Sequence, residues 1–304
     1  MNALPDSMTV FERGWLSSNN VLFVGDEGAA LVDTGYVSHA PQTLALVRQK
    51  LGPRRQLDLI VNTHLHSDHC GGNALLQQTY ACDTLIPASE ADAVREWDEH
   101  ALSFNATGQR CDRFGFTGTI ATGGTLMLGG LAWSVLGAPG HDPHSLMLYC
   151  AEARVLISAD ALWENGFGVI FPELEGASGF AEERAVLDLI ARLDVGLVIP
   201  GHGAPFTDVA RALDVASSRL DYLQADPARN AKNALKVLIV FKLMEVRAMS
   251  FDALFATTAT ARAMRAAANA LAAPGERRAL LERIVGELAQ AGAVKVNAGV
   301  VAVA

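Results

Sequence analysis

Short apolar strands broken by glycine and alternating with helical stretches predict an α/β protein. Two further observations refine that expectation. The histidines and aspartates with chemical promise fall just past strand ends, where α/β scaffolds carry their chemistry. Beyond Phe206 the texture changes: alanine becomes dense, helical stretches dominate, and a second, smaller, mainly helical unit is expected.

The elements follow in order. Val21–Val24 and Ala29–Val32 flank Gly25-Asp26-Glu27-Gly28, the pattern of a hairpin. Pro41–Leu51 reads as a helix, and Leu57–Thr63 as a strand that runs directly into a histidine cluster. Ser89–Glu99 is a further helical patch. Thr125–Leu136, Leu146–Tyr149, Val155–Ser158 and Leu197–Ile199 read as strands, with Phe180–Leu193 helical between the last two. In the tail, Asp208–Gln224, Asn233–Arg247 and Glu276–Gln290 read as helices. The chain then closes with Val294-Lys295-Val296, the turn-forming Asn297-Ala298-Gly299, and Val300–Val303. Helices closed by a terminal hairpin suggest a winged-helix module; the plain alternative is a helical cap with a stray hairpin. The boundary is expected near residue 210, giving units 1–210 and 211–304.

Of 304 residues, 50% are hydrophobic and 19% charged, which excludes a disordered chain and allows one large core, or one large and one small. The start of the chain shows no basic segment followed by an apolar one, and no apolar run is long enough to span a bilayer. With no CxxC pair among the four cysteines, reduced thiols in a cytoplasmic protein are expected. The net charge of −9 is uneven. Residues 1–210 hold 25 acidic against 11 basic side chains, and residues 211–304 hold 13 basic against 8 acidic. A basic tail on an acidic body is a weak hint of an anionic partner.

The sharpest signal is Thr63-His64-Leu65-His66-Ser67-Asp68-His69-Cys70-Gly71-Gly72. It places three of the chain's 8 histidines and a carboxylate directly after an apolar strand. Imidazole and carboxylate are the donors that borderline divalent metals prefer. In an extended segment alternate residues share a face, so His64 and His66 can reach one metal. Asp68 and His69, where the chain turns, can reach a second. Gly71 and Gly72 permit a tight turn or close approach. Downstream, Gly140-His141-Asp142, Asp160 and Pro200-Gly201-His202-Gly203 each follow a strand. Singly these are weak signals; in this order they are strong.

HLHSDH resembles the HxHxDH signature of the metallo-β-lactamase superfamily. His141, Asp160 and His202 resemble its remaining ligands, and Leu31-Val32-Asp33-Thr34-Gly35 its early aspartate motif. The resemblance covers roughly residues 8–206. It implies a four-layer αβ/βα sandwich with two metals at one edge. His64, His66 and His141 would hold the first metal and Asp68, His69 and His202 the second. Asp160 would bridge them, and Asp33 would hold the histidine loop. It also implies a hydrolase in which two divalent ions, most simply zinc, with iron and manganese suited to the same donors, share a hydroxide. Asp68 would orient that hydroxide and carry a proton to the leaving group.

Among other candidates, His144 reads as a supporting or surface histidine, His39 and His100 as structural, and Cys70 as a small buried thiol. Trp163, Phe167 and Phe171 line a substrate pocket or pack a core. The exported β-lactamase branch usually carries a cysteine where this chain has Asp160. Glyoxalase II shares the ligands, yet its C-terminal region finds no match after residue 206, and no flavodoxin-like domain fits in the remaining length. The branch with a C-terminal winged helix fits the chain best. A small ester, thioester or lactone is the favoured substrate. Single-stranded RNA, held by Arg262, Arg265, Arg277, Arg278 and Arg283, ranks second, because a basic helical face is commonly only a solvated surface. A non-enzymatic metal sensor ranks third, since none of the seven ligands is missing. The alanine-rich tail would also make a plausible homodimer surface.

Overall fold

A computed structural model describes residues 4–26 and 28–304. Glu27, in the expected hairpin turn, and the first three residues of the chain's start lie outside the described residues.

The first sheet runs in chain order: β1 (Met8–Phe11), β2 (Asn20–Gly25), β3 (Gly28–Val32), β4 (Leu59–Val61), β5 (Asp83–Pro87) and β6 (Gly118–Ile120). Pairing is antiparallel from β1 to β3 and parallel from β3 to β6. The second sheet comprises β7 (Thr125–Leu128), β8 (Leu131–Gly137), β9 (Leu146–Cys150), β10 (Val155–Ala159) and β11 (Leu197–Pro200), in the order β11-β10-β9-β8-β7. Only β10 and β11 are parallel in it.

The period-two alternation of strands explains how the sheets stack. Val21 and Phe23 join Leu148, Val155 and Ile157 in a core between the sheets. Leu22 points the other way, to Val47, Leu51 and Leu76 on the helices Ala40–Leu51 and Asn73–Tyr80. Met147, Tyr149 and Leu156 likewise turn outward, against the helices Phe180–Ala191 and Val209–Gln224. The result is the expected four-layer helix–sheet–sheet–helix sandwich.

Several boundaries differ from expectation. Thr125–Leu136 is a hairpin and not one strand, because Gly129 and Gly130 turn the chain at φ of 60° and 80°, which glycine adopts at little cost. The helix expected over Ser89–Glu99 shrinks to Ala91–Glu96, stopped by Trp97 in the left-handed region. The helix expected from Asn233 starts at Pro227. The Asp226 carboxylate accepts the Ala228 N–H at 3.1 Å, and proline suits the first helical position.

The tail builds its own core from the helices Pro227–Val246, Phe251–Thr260, Arg262–Leu271 and Arg277–Gln290. It closes with a three-stranded sheet of β12 (Ala248–Ser250), β13 (Val294–Asn297) and β14 (Val300–Val303), in the order β12-β14-β13. The expected terminal hairpin pairs Asn297 with Val300 and Val294 with Val303. The helix Val209–Gln224 does not belong to this core; Ala212, Ala216 and Leu220 pack under the second sheet. Among the described residues no helix is long and apolar enough to cross a membrane. All four cysteines are free and buried, as expected of Cys70.

Candidate metal centre

The candidate residues leave the two sheets at one edge. Parallel pairing of Val32 with Val61 brings Asp33, just past β3, beside Thr63, just past β4. The loop after β4 carries His64 and His66 and enters a short helix, Ser67–Cys70, that holds Asp68 and His69. A Cβ on Gly71 would lie 2.4 Å from the Val37 nitrogen, and one on Gly72 2.5 Å from the Thr34 carbonyl oxygen. Both glycines are there for close backbone approach. His141 sits in the loop that joins β8 to β9. The parallel ends of β10 and β11 deliver Asp160 and His202.

All seven expected ligands meet. Donor atoms of His64, His66 and His141 lie within 4.8 Å of one another, as do those of Asp68, His69 and His202, and those of His64, His69 and Asp160. His66 Nδ1 is 3.1 Å from His64 Nε2 and 2.8 Å from His141 Nε2. Three imidazole nitrogens facing one point suit a shared cation: nitrogens about 2.0–2.1 Å from a tetrahedral centre are roughly 3.3 Å apart. The Asp160 carboxylate is shared between the groups. Its Oδ2 is 3.3 Å from His141 Nε2, and its Oδ1 is 3.5 Å from His69 Nε2 and 3.9 Å from His202 Nε2. His202 Nε2 also meets Asp68 Oδ2 at 3.1 Å. His69 Nε2 is buried with no hydrogen-bond partner, an orphan that a cation would satisfy. The donor set therefore fits divalent metal binding.

The outward nitrogens are held in place, as metal-binding histidines require. Asp33 Oδ2 accepts from His69 Nδ1 at 2.8 Å and from the Thr63 hydroxyl at 2.8 Å, and Asp33 Oδ1 accepts the Thr63 N–H at 2.9 Å. His141 Nδ1–H donates to the Val169 carbonyl at 2.5 Å. Replacing Asp33 with asparagine is expected to weaken metal affinity or kcat/KM by about 10–100-fold, the usual cost of losing such a partner. Metal titration of the variant checks this, and wild-type affinity and turnover would show that Asp33 only fills a turn.

Burial pushes His64 well below the ordinary histidine range and His141 down to about 4, helped in both by neighbouring imidazoles, so both are neutral at pH 7 with a lone pair to offer. His69 behaves differently. Burial opposes its charge, but Asp160 and Asp33 outweigh burial and raise it well above that range. The sign follows. In the metal-free protein this proton stabilises the fold fully below about pH 6.5, and the contribution is lost as pH rises through the folded value. A metal must displace the proton. Metal affinity is therefore expected to strengthen by up to about tenfold per pH unit from pH 6 upward. An affinity flat with pH, in competition titrations with a chelator, would remove this linkage.

Three contributors escaped sequence reasoning. Asp142 Oδ2 lies 3.3 Å from His66 Nε2; burial works against its charge, but this contact holds its carboxyl down to about 2. Its place directly after His141 was the available signal. Trp15 stacks on the His202 ring, centroids 5.3 Å apart and planes 6° apart, while remaining 52% exposed. Glu183 is fully buried beneath Gly140 with neither carboxyl oxygen hydrogen-bonded, and burial and the Asp160 charge push it well above the carboxylate range. No sequence signal marks either of the last two. Trp163, Phe167 and Phe171 do line a cavity of about 460 Å³ that opens onto the histidines. His144 is half-buried and donates its N–H to Asp142; His39 bonds Ser17, and His100 meets Arg262 at the surface.

Residues 13–202 match the Metallo-beta-lactamase superfamily. The chain belongs to that superfamily. Its curated relatives are distant. A hydroxyacylglutathione hydrolase of Hyphomonas neptunium is 28% identical over 37% of this chain and 36% of its own length. One from Rhizobium etli is 23% identical over 57% of each. The chain thus spans well under two-thirds of these relatives. The probable metallo-hydrolase YqgX of Bacillus subtilis is 25% identical over 66% of this chain and 92% of its own. Among solved structures, a metallo-beta-lactamase family protein from Thermus thermophilus shares the fold over 99% of this chain and 100% of its own, with a TM-score of 0.59 at 20% identity.

Proposed function

We propose that this chain is a metal-dependent hydrolase with a dinuclear centre, acting on a small ester, thioester or lactone. The observation that carries the proposal is the Asp160 carboxylate, with one oxygen on His141 and the other on His69 and His202. On this reading His64, His66 and His141 would hold one ion, Asp68, His69 and His202 the other, and Asp160 would serve both. Such a pair of ions would supply a hydroxide at neutral pH and polarise the substrate's carbonyl oxygen. The chain's own residues do the rest. Asp33 fixes the histidine loop, His141 is oriented by Val169, and Asp68, whose Oδ2 lies 3.1 Å from His202 Nε2, would receive and pass on a proton. The hydroxyacylglutathione hydrolases among the relatives act, by name, on a thioester, which favours this substrate class.

We further propose a winged-helix-like C-terminal unit, supported by the order helix–strand–helices–hairpin and the sheet order β12-β14-β13. Its boundary is best drawn between Leu223 and Pro227, after the helix that packs under the second sheet, and not at residue 210. The RNA reading ranks second. Arg262 is paired with Glu175 at 3.1 Å and Arg278 with Asp252 at 2.8 Å, so part of the tail's positive charge is already answered.

The test is metal content of the purified protein, with turnover of a thioester, a lactone and a single-stranded RNA after loading with zinc, manganese or iron. Two ions per chain with carbonyl-ester turnover is the expected result. RNA cleavage alone, or a full metal complement with no turnover of any of the three, would overturn the proposal.

A further inference from the structure

The helix Pro227–Val246 presents Asn233, Lys236, Val237, Val240 and Phe241 to the cavity above the metal centre. That spacing is one helical face. The cavity is bounded on one side by His66, Asp68, His141, Asp160 and His202, and on the other by this face with Leu288 and Ala293 from the tail. Its volume of about 460 Å³ is within the range that encloses a small ligand.

The chemistry of the tail's wall is mostly apolar, and its charges are occupied. Lys236 Nζ is 2.6 Å from Glu287 Oε2, while Lys232 takes the other oxygen at 2.8 Å. Arg219 lays its guanidinium over the Phe167 ring, 5.3 Å from the centroid. On this face the one lining cation, Lys236, is thus already answered by Glu287, whereas Arg219, from the helix Val209–Gln224, lines the cavity elsewhere with no ion pair among the described residues. Asn233 is the polar residue of this face, and its Nδ2 is buried without a hydrogen-bond partner.

We infer that the tail helix Pro227–Val246 is the specificity wall of the site, and that the substrate carries an uncharged, medium-length apolar arm on its reacting carbonyl, seated against Val237, Val240 and Phe241. This inference rests on the hydrolase reading for turnover, but not for binding. The arm loses water on entering, and each buried methylene is worth roughly fourfold, the equivalent of about 0.8 kcal/mol.

Two measurements on the full, metal-loaded chain test it. The first is kcat/KM over acyl thioesters from acetyl to octanoyl. A rise of roughly threefold to fourfold per methylene is expected, and Val240→Trp should cut the octanoyl-to-acetyl ratio at least tenfold. A flat or falling series on active wild-type enzyme overturns the inference. The second is quenching of the fluorescence of Trp15 and Trp163, both on the cavity wall, by octanamide and acetamide. Saturable binding of octanamide at concentrations where acetamide has no effect is expected. Equal weak effects of both amides overturn the inference. Selective octanamide binding by a metal-loaded chain that turns over neither the thioesters nor the corresponding esters and lactones leaves the wall in place and removes the hydrolase reading instead.

Discussion

Replacing Asp160 with alanine is expected to lower kcat/KM by about a thousandfold or more, since the carboxylate both binds and supports charge stabilisation worth several kcal/mol. It should also bring the metal content below two ions per chain. The argument is geometric. The Asp160 oxygens lie 3.3 Å from His141 Nε2 and 3.5 Å from His69 Nε2, so a single side chain couples the two donor groups. The charge balance points the same way. Burial opposes the carboxylate, but His69 and His202 outweigh it and hold its pKa well below the ordinary range, so it is an anion across neutral pH. Without it, cations packed among neutral imidazoles lose their shared counter-charge. Asparagine, which keeps the volume without the charge, is the companion variant. If alanine abolishes the second ion and asparagine restores neither ion nor rate, charge is what Asp160 contributes. An alanine variant with both ions and full turnover would remove the bridge.

The candidate metal centre was legible because its chemistry is concentrated in residue type and order. Three histidines and Asp68 fall in one short segment, and His141, Asp160 and His202 each follow an apolar run whose partner strands proved adjacent. The four layers were implied by the resemblance alone: Val21–Val24 is apolar at every position, and only the folded chain shows Phe23 facing the second sheet and Leu22 facing the helices. What the sequence hid has physical reasons. β5 and β6 are only 5 and 3 residues long, too short for a period to show. The helices Phe251–Thr260 and Arg262–Leu271 abut with only Ala261 between them, and the buried face of the second is mostly alanine, which marks a core more weakly than larger apolar side chains do. The expected single strand over Thr125–Leu136 failed on two glycines whose φ values no apolar count can report. Trp15 takes its place from a ring, His202, at the opposite end of the sandwich in sequence. Glu183 takes its own from burial under the loop of His141, which only the packed fold creates. The cavity wall is the same kind of case. Val237, Val240 and Phe241 read as ordinary helix core until the tail is folded back onto the histidines.

Asp68→Asn is expected to reduce kcat by about 10²–10⁴-fold, the range for a positioned proton carrier. Asp68 is nearly buried, and its Oδ2 meets His202 Nε2 at 3.1 Å. Burial alone would raise its pKa, but the hydrogen bond with His202 and the charge of His69 bring it below the ordinary value, so at neutral pH it can accept a proton. Asparagine keeps an oxygen donor and the side-chain volume but cannot take up that proton. A ligand role and a proton-carrying role therefore separate by leaving group. If Asp68 only holds a metal, the variant should lose the same factor with every thioester and regain rate when excess metal is added. If it also delivers a proton, the loss should be small for an aryl thiolate, which departs without help, and large for an alkyl alkoxide, which does not. Added metal should then leave the alkyl ester's deficit unchanged. A uniform loss, fully rescued by metal, would confine Asp68 to the ligand set and leave proton delivery to solvent.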